Sequence, residues 1–539
     1  MINKDFKYVW EERRGIYRVV TDTPEYRPDT KKTIHHYVTI GKAKEKNGPV
    51  EFGPKHLALQ EARKASVKEE VKAKTVIPSG EKLVMDKAVT DTGLSKALDK
   101  TLGKDLTAKV VSLAYFLLAT GEALSNSEVW LQERELSPLN AARISELLPQ
   151  ISEEKCSLFF REWLKTKAKG KTICYDITSV STYAKDMDLG EYGYNRDHER
   201  WLKQINLAFV TDKQTHMPLA YRVVNGSLSD VNTLKDTVRE FIQYGATPYG
   251  MVMDRGFWGQ ERLQMLTDEG IKYMIPVPSS VSWGKKIISD NKSNVFLQPP
   301  HEDDDGSKTY GCTVYDPNGE GRHVWAHVYY SPAIETLKKE KFVEKYTKCR
   351  QDLLDGTLEE SQTDFAAKYF TVSTRGRGGK RHVEEKAHLV DVLARQDFGY
   401  WVLYTDMEKD WVTALDDYRD RGFIEAGFDD LKGATDAKRL RVHYSKSVFG
   451  HIFIQFVSQI LRTYLRGKAK SFDEGTQKFA SSPSSILTRV RSYSKVKYSG
   501  RYKAQFTQAT KGQRLIFKAL GIDAEQPEND EDSTEALLN

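Results

Sequence analysis

The sequence predicts an α/β protein organised around a mixed sheet, and two observations carry that prediction. Runs rich in β-branched and aromatic residues occur at 172–183, 202–211, 218–224, 249–254 and 271–277, each with the length and composition of a strand. Two helical patterns separate the later runs: one opens at Ser229-Asp-Val-Asn-Thr-Leu, with capping residues ahead of its apolar positions, and the other spans 259–269. The resulting order is strand, strand, strand, helix, strand, helix, strand. At 539 residues the chain is too long for one ordinary core, and about three or four domains are expected.

Ahead of the sheet, residues 6–42 alternate aromatic and β-branched residues with charges, as in Tyr8-Val-Trp-Glu and Thr33-Ile-His-His-Tyr-Val-Thr-Ile. That alternation predicts a small antiparallel sheet. His35 and His36, adjacent on a strand, point to opposite faces and make no ligand pair. Lys55 to Lys74 reads as a charged helix or linker. From Thr90 to Ala168 the pattern is helical: Leu94, Leu98 and Leu102 recur at i,i+4, followed by Val110, Leu113, Tyr115 and Phe116. Leu136-Ser-Pro-Leu-Asn-Ala-Ala-Arg-Ile reads as a turn feeding another helix.

Within the sheet region two acidic residues stand where strand chemistry disfavours them. Asp176 lies inside the run Lys171-Thr-Ile-Cys-Tyr-Asp-Ile-Thr-Ser-Val-Ser-Thr182, and Asp254 closes Tyr249-Gly-Met-Val-Met before Arg-Gly-Phe-Trp258. A carboxylate at the C-terminal tip of a strand sits where α/β sheets place their sites. Taken singly, either Asp reads as a turn or cap residue, and Asp230 reads as a helix cap rather than a ligand. The third acidic position belongs to a pattern. Tyr418, Arg421, Glu425 and Lys432 follow one another at spacings of three, four and seven. On a helix of about 100° per residue they share an arc of roughly 60°, which puts one carboxylate on a stripe with two cations and a phenol. Such residues are almost never buried unless paired, so this is no core face. A solvated stripe with charge pairs is the ordinary reading for any two of them.

The ordered set Asp176, Asp254, Glu425, with Tyr418-(2)-Arg421-(3)-Glu425-(6)-Lys432 complete, resembles the DDE transposases of bacterial insertion sequences. Within them it resembles the insertion-sequence-four superfamily, and further the subgroup of long transposases with a large insertion before the final Glu. The resemblance covers about residues 171–275 and 396–465, including Asp254-Arg-Gly-Phe257 and Gly450-His-Ile-Phe-Ile-Gln-Phe456. It implies an RNase H-like catalytic core that cuts DNA at the ends of a mobile element and joins those ends to a target. It also implies Asp176, Asp254 and Glu425 as catalytic metal ligands, with Asp176 bridging two Mg²⁺ ions, for which Mn²⁺ would substitute. Hard cations take oxygen ligands, and a pair of them can stabilise attacking and leaving oxygens in phosphoryl transfer. Arg421 and Lys432 would face DNA phosphates. Tyr418 is read with them as a DNA contact or, equally, as a packing residue. The expected partners are double-stranded DNA, as terminal inverted repeats and target, and a second copy of the chain in the DNA complex.

The gap between Asp254 and Glu425, 171 positions, exceeds what one helix and one strand require, so something is inserted. Strand-like His323-Val-Trp-Ala-His-Val-Tyr-Tyr330 and Tyr369-Phe-Thr-Val-Ser373, a charged helical run at 335–365, and the basic loop Arg375-Gly-Arg-Gly-Gly-Lys-Arg381 lie within it. By the resemblance the insertion is β-rich and contacts the transposon end. The loop residues Arg375, Arg377, Lys380 and Arg381 are placed to track phosphates or simply to be solvated. Trp325, with Trp283 second, is the candidate platform for a flipped base.

Lys468 to Lys518 carries twelve Lys and Arg against Asp473 and Glu474, whereas Asp523 to Glu535 carries seven acids and no bases, within a net charge of +6. A basic segment interleaved with Tyr493, Tyr498 and Tyr502 suits nucleic acid, and the acidic tail is placed to compete for it or merely to solubilise. Cys156, Cys174, Cys312 and Cys349 show no Cys-x-x-Cys spacing, so neither a disulfide framework nor a zinc site is indicated. No apolar run reaches about 18 residues, and Met1-Ile-Asn-Lys-Asp lacks a signal peptide's apolar stretch, so a cytoplasmic protein with no membrane partner is expected.

The expected organisation is a small β-rich module plus helical linker at 1–85 and a helical DNA-binding region at 86–168. The RNase H-like core follows at 169–279, then the insertion at 280–395. The second part of the core, with the catalytic Glu helix, is at 396–467, followed by a basic region at 468–522 and an acidic disordered tail at 523–539. Two other classes share these features: an RNase H-like nuclease or resolvase without strand transfer, and a non-catalytic DNA-binding protein derived from a transposase.

Overall fold

A computed structural model of the chain describes residues 6–27, 32–58, 61, 73–184, 187–195, 201–227, 230–303, 305–316, 323–375, 380–429, 432, 439–440, 442, 444–498 and 503–523. It divides into two compact units, one formed by Met1–Ser79 with Ser492–Ala509 and the other by Gly80–Arg491 with Thr510–Asp523. Most of the Lys55–Lys74 linker and all of the acidic tail beyond Asp523 lie outside the described residues.

In the first unit, β1 (Phe6–Glu11), β2 (Ile16–Arg27), β3 (Lys32–Ala43) and β4 (Glu51–Phe52) form a four-stranded antiparallel sheet in sequential order. Alternation decides its faces. Val19, Ile40 and Ala43 are buried with Phe6, Tyr8, Tyr17, Val50 and Phe52 packed on them, while Lys7, His35 and Asp22 form an exposed ionic group. A second sheet in this unit joins β5 (Ala73–Pro78) to β18 (Ser494–Tyr498) and β19 (Gln505–Phe506). Tyr493 of the basic region is 2% exposed and stacks on Phe506, so it belongs to packing rather than to a nucleic-acid surface.

The second unit starts with helices over Gly80–Thr92, Leu94–Leu102, Lys104–Thr120, Ser127–Glu133, Ala141–Leu147 and Glu153–Lys167. The last two of them start on side-chain caps: Asn140 accepts from the Arg143 N–H at 2.9 Å and Ser152 from the Lys155 N–H at 3.3 Å. Glu81, 1% exposed, is neutralised by Arg134 and Arg491 at 2.8 and 2.7 Å. That double pairing is what makes its burial tolerable.

The expected core order is present. It comprises β6 (Thr172–Thr182), β7 (Lys203–Asp212), β8 (Pro218–Asn225), helix α1 (Asp230–Gln243), β9 (Gly250–Met253), helix α2 (Gln260–Asp268) and β10 (Lys272–Pro276). The sheet runs β10-β9-β6-β7-β8, with β6, β9 and β10 parallel, β7 antiparallel to β6 and β8 antiparallel to β7. It is therefore mixed, with Asp176's strand central and paired on both sides.

The insertion differs from the β-rich body expected for 280–395. Its strands β11 (His301–Glu302), β12 (Lys308–Asp316) and β13 (Val324–Tyr330) extend the same sheet through β16 (Tyr400–Thr405), which pairs with β10 on one side and β13 on the other. Its longest element is helical, α3 (Pro332–Asp355). The 24-residue helix packs Tyr346, Cys349 and Leu353 against Tyr369, which ends the helix Thr363–Tyr369, and against Phe370 and Val383 of the hairpin β14 (Phe370–Arg375) and β15 (Lys380–Glu385). The charged run is helical because its apolar residues recur at helical spacing, and the helix sides with this small core. One further short strand, β17 (Arg439–Leu440), runs parallel to the end of β6.

Three helices follow the sheet, α4 (Trp411–Arg419), α5 (Gly422–Asp429) and α6 (Ser445–Ser471), and shorter ones at Glu474–Gln477, Pro483–Val490 and Lys511–Leu520 come after them. α6 is buried around most of its circumference. Phe453 and Phe456 meet Phe159, Phe160, Phe209 and Tyr221 edge to face at 5.1–6.4 Å. At Gly450 this helix runs against the Leu148 backbone, where an added Cβ would collide with the Leu148 carbonyl.

Candidate active site

Asp176 owes its place to two ladders. β7 pairs with β6 on one side and sets Phe209 opposite Asp176, and β9 pairs on the other with Met253 in register with Tyr175. The residues after that last pair are Asp176 and Asp254, so the two carboxylates leave matching positions on adjacent parallel strands, whose spacing is about 4.8 Å. Asp176 is 8% exposed and its Oδ1 accepts the Ile177 N–H at 2.8 Å. Asp254 is held from behind: Phe257, three residues on and 1% exposed, meets the Tyr175 ring at 4.9 Å.

One cation joins both. Arg421 Nη1 donates to Asp176 Oδ2 at 3.1 Å, and its Nη2 stands 3.7 Å from Asp254 Oδ1. Arg421 is 8% exposed and its guanidinium lies over the Tyr418 ring at 5.6 Å. In this structure Arg421, expected from the sequence to face DNA phosphates, faces the two carboxylates. Tyr418 is its packing platform.

The expectation of one continuous helical stripe is also corrected. α4 ends at Arg419, and the Arg421 N–H bonds back to the Tyr418 carbonyl at 3.1 Å, followed by similar tight bonds from Phe423 to Asp420 and from Ile424 to Arg421. The chain passes through a 3₁₀-like turn before α5, next to Gly422, whose helical propensity is poor. Glu425 lies in α5, and its side chain is outside the described residues. α5 itself is located by Ile424 and Phe428, 2% and 7% exposed, with Phe428 against Phe209 at 5.8 Å. Because Phe209 is the cross-strand partner of Asp176, the Glu425 helix rests on the sheet beside that residue. Lys432, half-buried, lies beyond the end of α5 rather than on it.

The more distant candidates fall elsewhere. Trp325, half-buried on β13 and stacked with His323, is in register with Thr405, which is in register with Met274, and Met274 with Val252. Three strand spacings, roughly 14 Å, therefore separate Trp325 from the strand of Asp254, too far for a platform beside it. Trp283, the second candidate, is better placed: it packs against Trp258 at 5.7 Å and Tyr404 at 5.2 Å. Trp258, four residues after Asp254, is the residue that sequence reasoning passed over, although it closes the Asp254-Arg-Gly-Phe-Trp string. In the basic loop, Arg375 and Lys380 pair across the β14–β15 hairpin, their side chains and the whole of Arg377 lying outside the described residues. Arg381 is exposed, and its guanidinium packs beside Gly356, the left-handed C-cap of α3, where a cation also complements the helix dipole.

Cys174 lies two residues before Asp176 on the same face of β6. Burial pushes its thiol up to about 12, against the pull of Lys213 and Arg421, so it is inert at neutral pH. What remains is a pair of hard oxygen donors converging on one positive charge, a donor set that fits a divalent cation of the Mg²⁺ kind.

Residues 167–461 match the family model described as the transposase DDE domain. A cryo-EM structure of a piggyBac transposase synaptic complex with hairpin DNA aligns with a TM-score of 0.35 at 10% identity, covering 85% of this chain and 76% of that one. No curated protein matches the chain.

Proposed function

The chain belongs to the transposase DDE-domain family, and from that premise we propose that it cleaves DNA at transposon ends and joins them to target DNA. The observation that supports this most is the placement of Asp176 and Asp254 at matching positions on adjacent parallel strands, beside the helix that bears Glu425. In this reading β6–β10 form an RNase H-like core. The chain falls in the insertion-sequence-four superfamily on the strength of Tyr418, Arg421, Glu425 and Lys432, and it works as a dimer on DNA in the cytoplasm. Residues 86–168 take part in end recognition, and Lys432, Arg375, Arg377, Lys380 and Arg381 contribute positive charge along the DNA.

Asp176, Asp254 and Glu425 would hold two Mg²⁺ ions, which when bound activate the attacking oxygen and stabilise the leaving one. The protein's own part is positional. The β6 ladder fixes Asp176, the Tyr175–Phe257 contact fixes the turn after Asp254, and Trp258 with Trp283 supplies the aromatic surface near that turn for an unpaired base.

The test is cleavage and joining of one labelled transposon end by Asp176→Asn, Asp254→Asn and Glu425→Gln. Each removes an anionic ligand while preserving shape, so each should lose both reactions while retaining gel-shift binding. A variant that cuts at the wild-type rate removes its residue from the site. Cut ends that are never joined would make the protein a nuclease instead.

A further inference from the structure

Arg421 is bound where a divalent cation would be drawn. Its guanidinium spans two carboxylates, at 3.1 Å to Asp176 and 3.7 Å to Asp254, from a side chain 9% exposed and backed by Tyr418. A planar fork with several donors can satisfy two acceptors at once, which a lysine ammonium does less well. We propose that Arg421 is an internal counter-ion that competes with the divalent cation for Asp176 and Asp254, so that metal loading requires its guanidinium to leave. This rests on the metal-binding reading of the two carboxylates given above.

Two features make departure feasible. Arg421 sits in the short turn between α4 and α5 rather than inside a helix, so its displacement need not unwind either one. A phosphate diester also offers paired anionic oxygens, the acceptor geometry that matches a guanidinium best outside a carboxylate. The residue expected from sequence to touch DNA would thus do so after release, and its position on the carboxylates is the resting arrangement. The exchange is one of counter-ions, with no bond made or broken.

The test is Mn²⁺ binding to the full chain without DNA, followed by the EPR signal of free Mn²⁺, for wild type, Arg421→Gln, Arg421→Lys and the Asp176→Asn/Asp254→Asn double variant. Removing a competitor coupled to the site should tighten Mn²⁺ binding by about tenfold in Arg421→Gln, within the usual range of such couplings. Arg421→Lys should fall between the two, and the double variant should lose the site. Added Mn²⁺ should also raise the melting midpoint more in the Arg421 variants than in wild type. If wild type binds through the two aspartates but neither Arg421 variant binds more tightly, the competition is overturned while the metal reading stands. If no Mn²⁺ binding depends on the aspartates, both fall. Should Arg421→Gln fail to fold, Arg421→Lys decides alone, and a dissociation constant equal to or weaker than wild type overturns the proposal.

Discussion

The strand that carries Asp176 and the segment from Tyr418 to Lys432 meet in one site but are held in opposite ways. β6 is paired to β7 along its length and, on the other edge, to β9 and β17 toward its two ends, and from Ile173 to Thr182 every residue is buried. The later segment is two short helices joined by a tight turn, anchored by a few side chains: Ile424, Phe428, and the Lys213–Asp417 ion pair that ties α4 to the end of β7. A paired central strand has nowhere to shift, because a slip of one residue would turn its whole inner face outward. The later segment is held instead by tight bonds within its own turn, at Arg421, Phe423 and Ile424, and by those few side chains. The site therefore joins a rigid half to an adjustable half.

The largest effect should come from breaking the rigid half. Ile177→Pro removes the N–H that donates to Asp176 Oδ1 and puts a proline in the middle of a central strand, and should cost about 3 kcal/mol or more. The readout is the urea midpoint, which should collapse or leave no folded protein. Next is Arg421→Ala, which takes a charged partner from a carboxylate that is only 8% exposed. A loss of about 1–3 kcal/mol is expected for removing one hydrogen-bonded partner of a buried polar group. A loss below the scatter of the urea measurement would mean that the pair contributes nothing to folding.

Gly422→Ala sharpens the comparison from the other side. An added Cβ there meets nothing within 4 Å, so alanine should stabilise by up to about 1 kcal/mol through helix propensity alone. If the turn at Arg421 is needed for release of its guanidinium, that gain should come with slower DNA cleavage. A stabilised variant with unchanged cleavage would show that the break is passive.

The smallest effect concerns the support of α5. His216, at φ 58°, stacks on Phe423 at 3.8 Å. Its pKa is lowered from 6.5 by burial and then by Lys470 and Arg466, with Asp420 and Asp212 pulling the other way. An imidazole kept neutral in the folded state contributes stability that is complete above the unfolded value and is lost as pH falls below it. Stability should therefore decline below about pH 6.5, and His216→Asn, which suits the left-handed backbone, should flatten that decline. Parallel curves for the two proteins from pH 7.5 to 5.5 would remove His216 from the account.

Much of the rigid half was legible because its signals are local. The β-branched runs at 172–183 and 202–211 name their strands, and an Asp inside such a run draws notice by itself. The adjustable half was legible only as a spacing. Four residues in register suggest one helix, and nothing in three-, four- and seven-residue intervals reveals a turn at Asp420–Gly422 that swings Arg421 onto the carboxylates. The place of Trp325 was hidden for a related reason. Its strand character is visible locally, but its distance from Asp254 is set by β16 arriving between β13 and β10, which no nearby residue encodes. The insertion was read as a separate β-rich body because a linear gap looks like a separate object, whereas unpaired edges of β10 and β16 attract any strand that can complete them.

The Arg421–Asp176 contact joins residues 245 positions apart. During synthesis, β6 through β10 and both aspartates are made before Arg421, and the strands of the insertion must also reach the open edge of the sheet before it is complete. Closure over so long a separation is slow, and a nascent chain would spend that interval with a like-charged pair on an incomplete sheet. A ribosome-bound chain halted before Arg421 emerges should be open to proteolysis around β9, and one extended past α6 should be protected. The order in which the polypeptide is made thus leaves the pairing of these two carboxylates until the turn between α4 and α5 has been made.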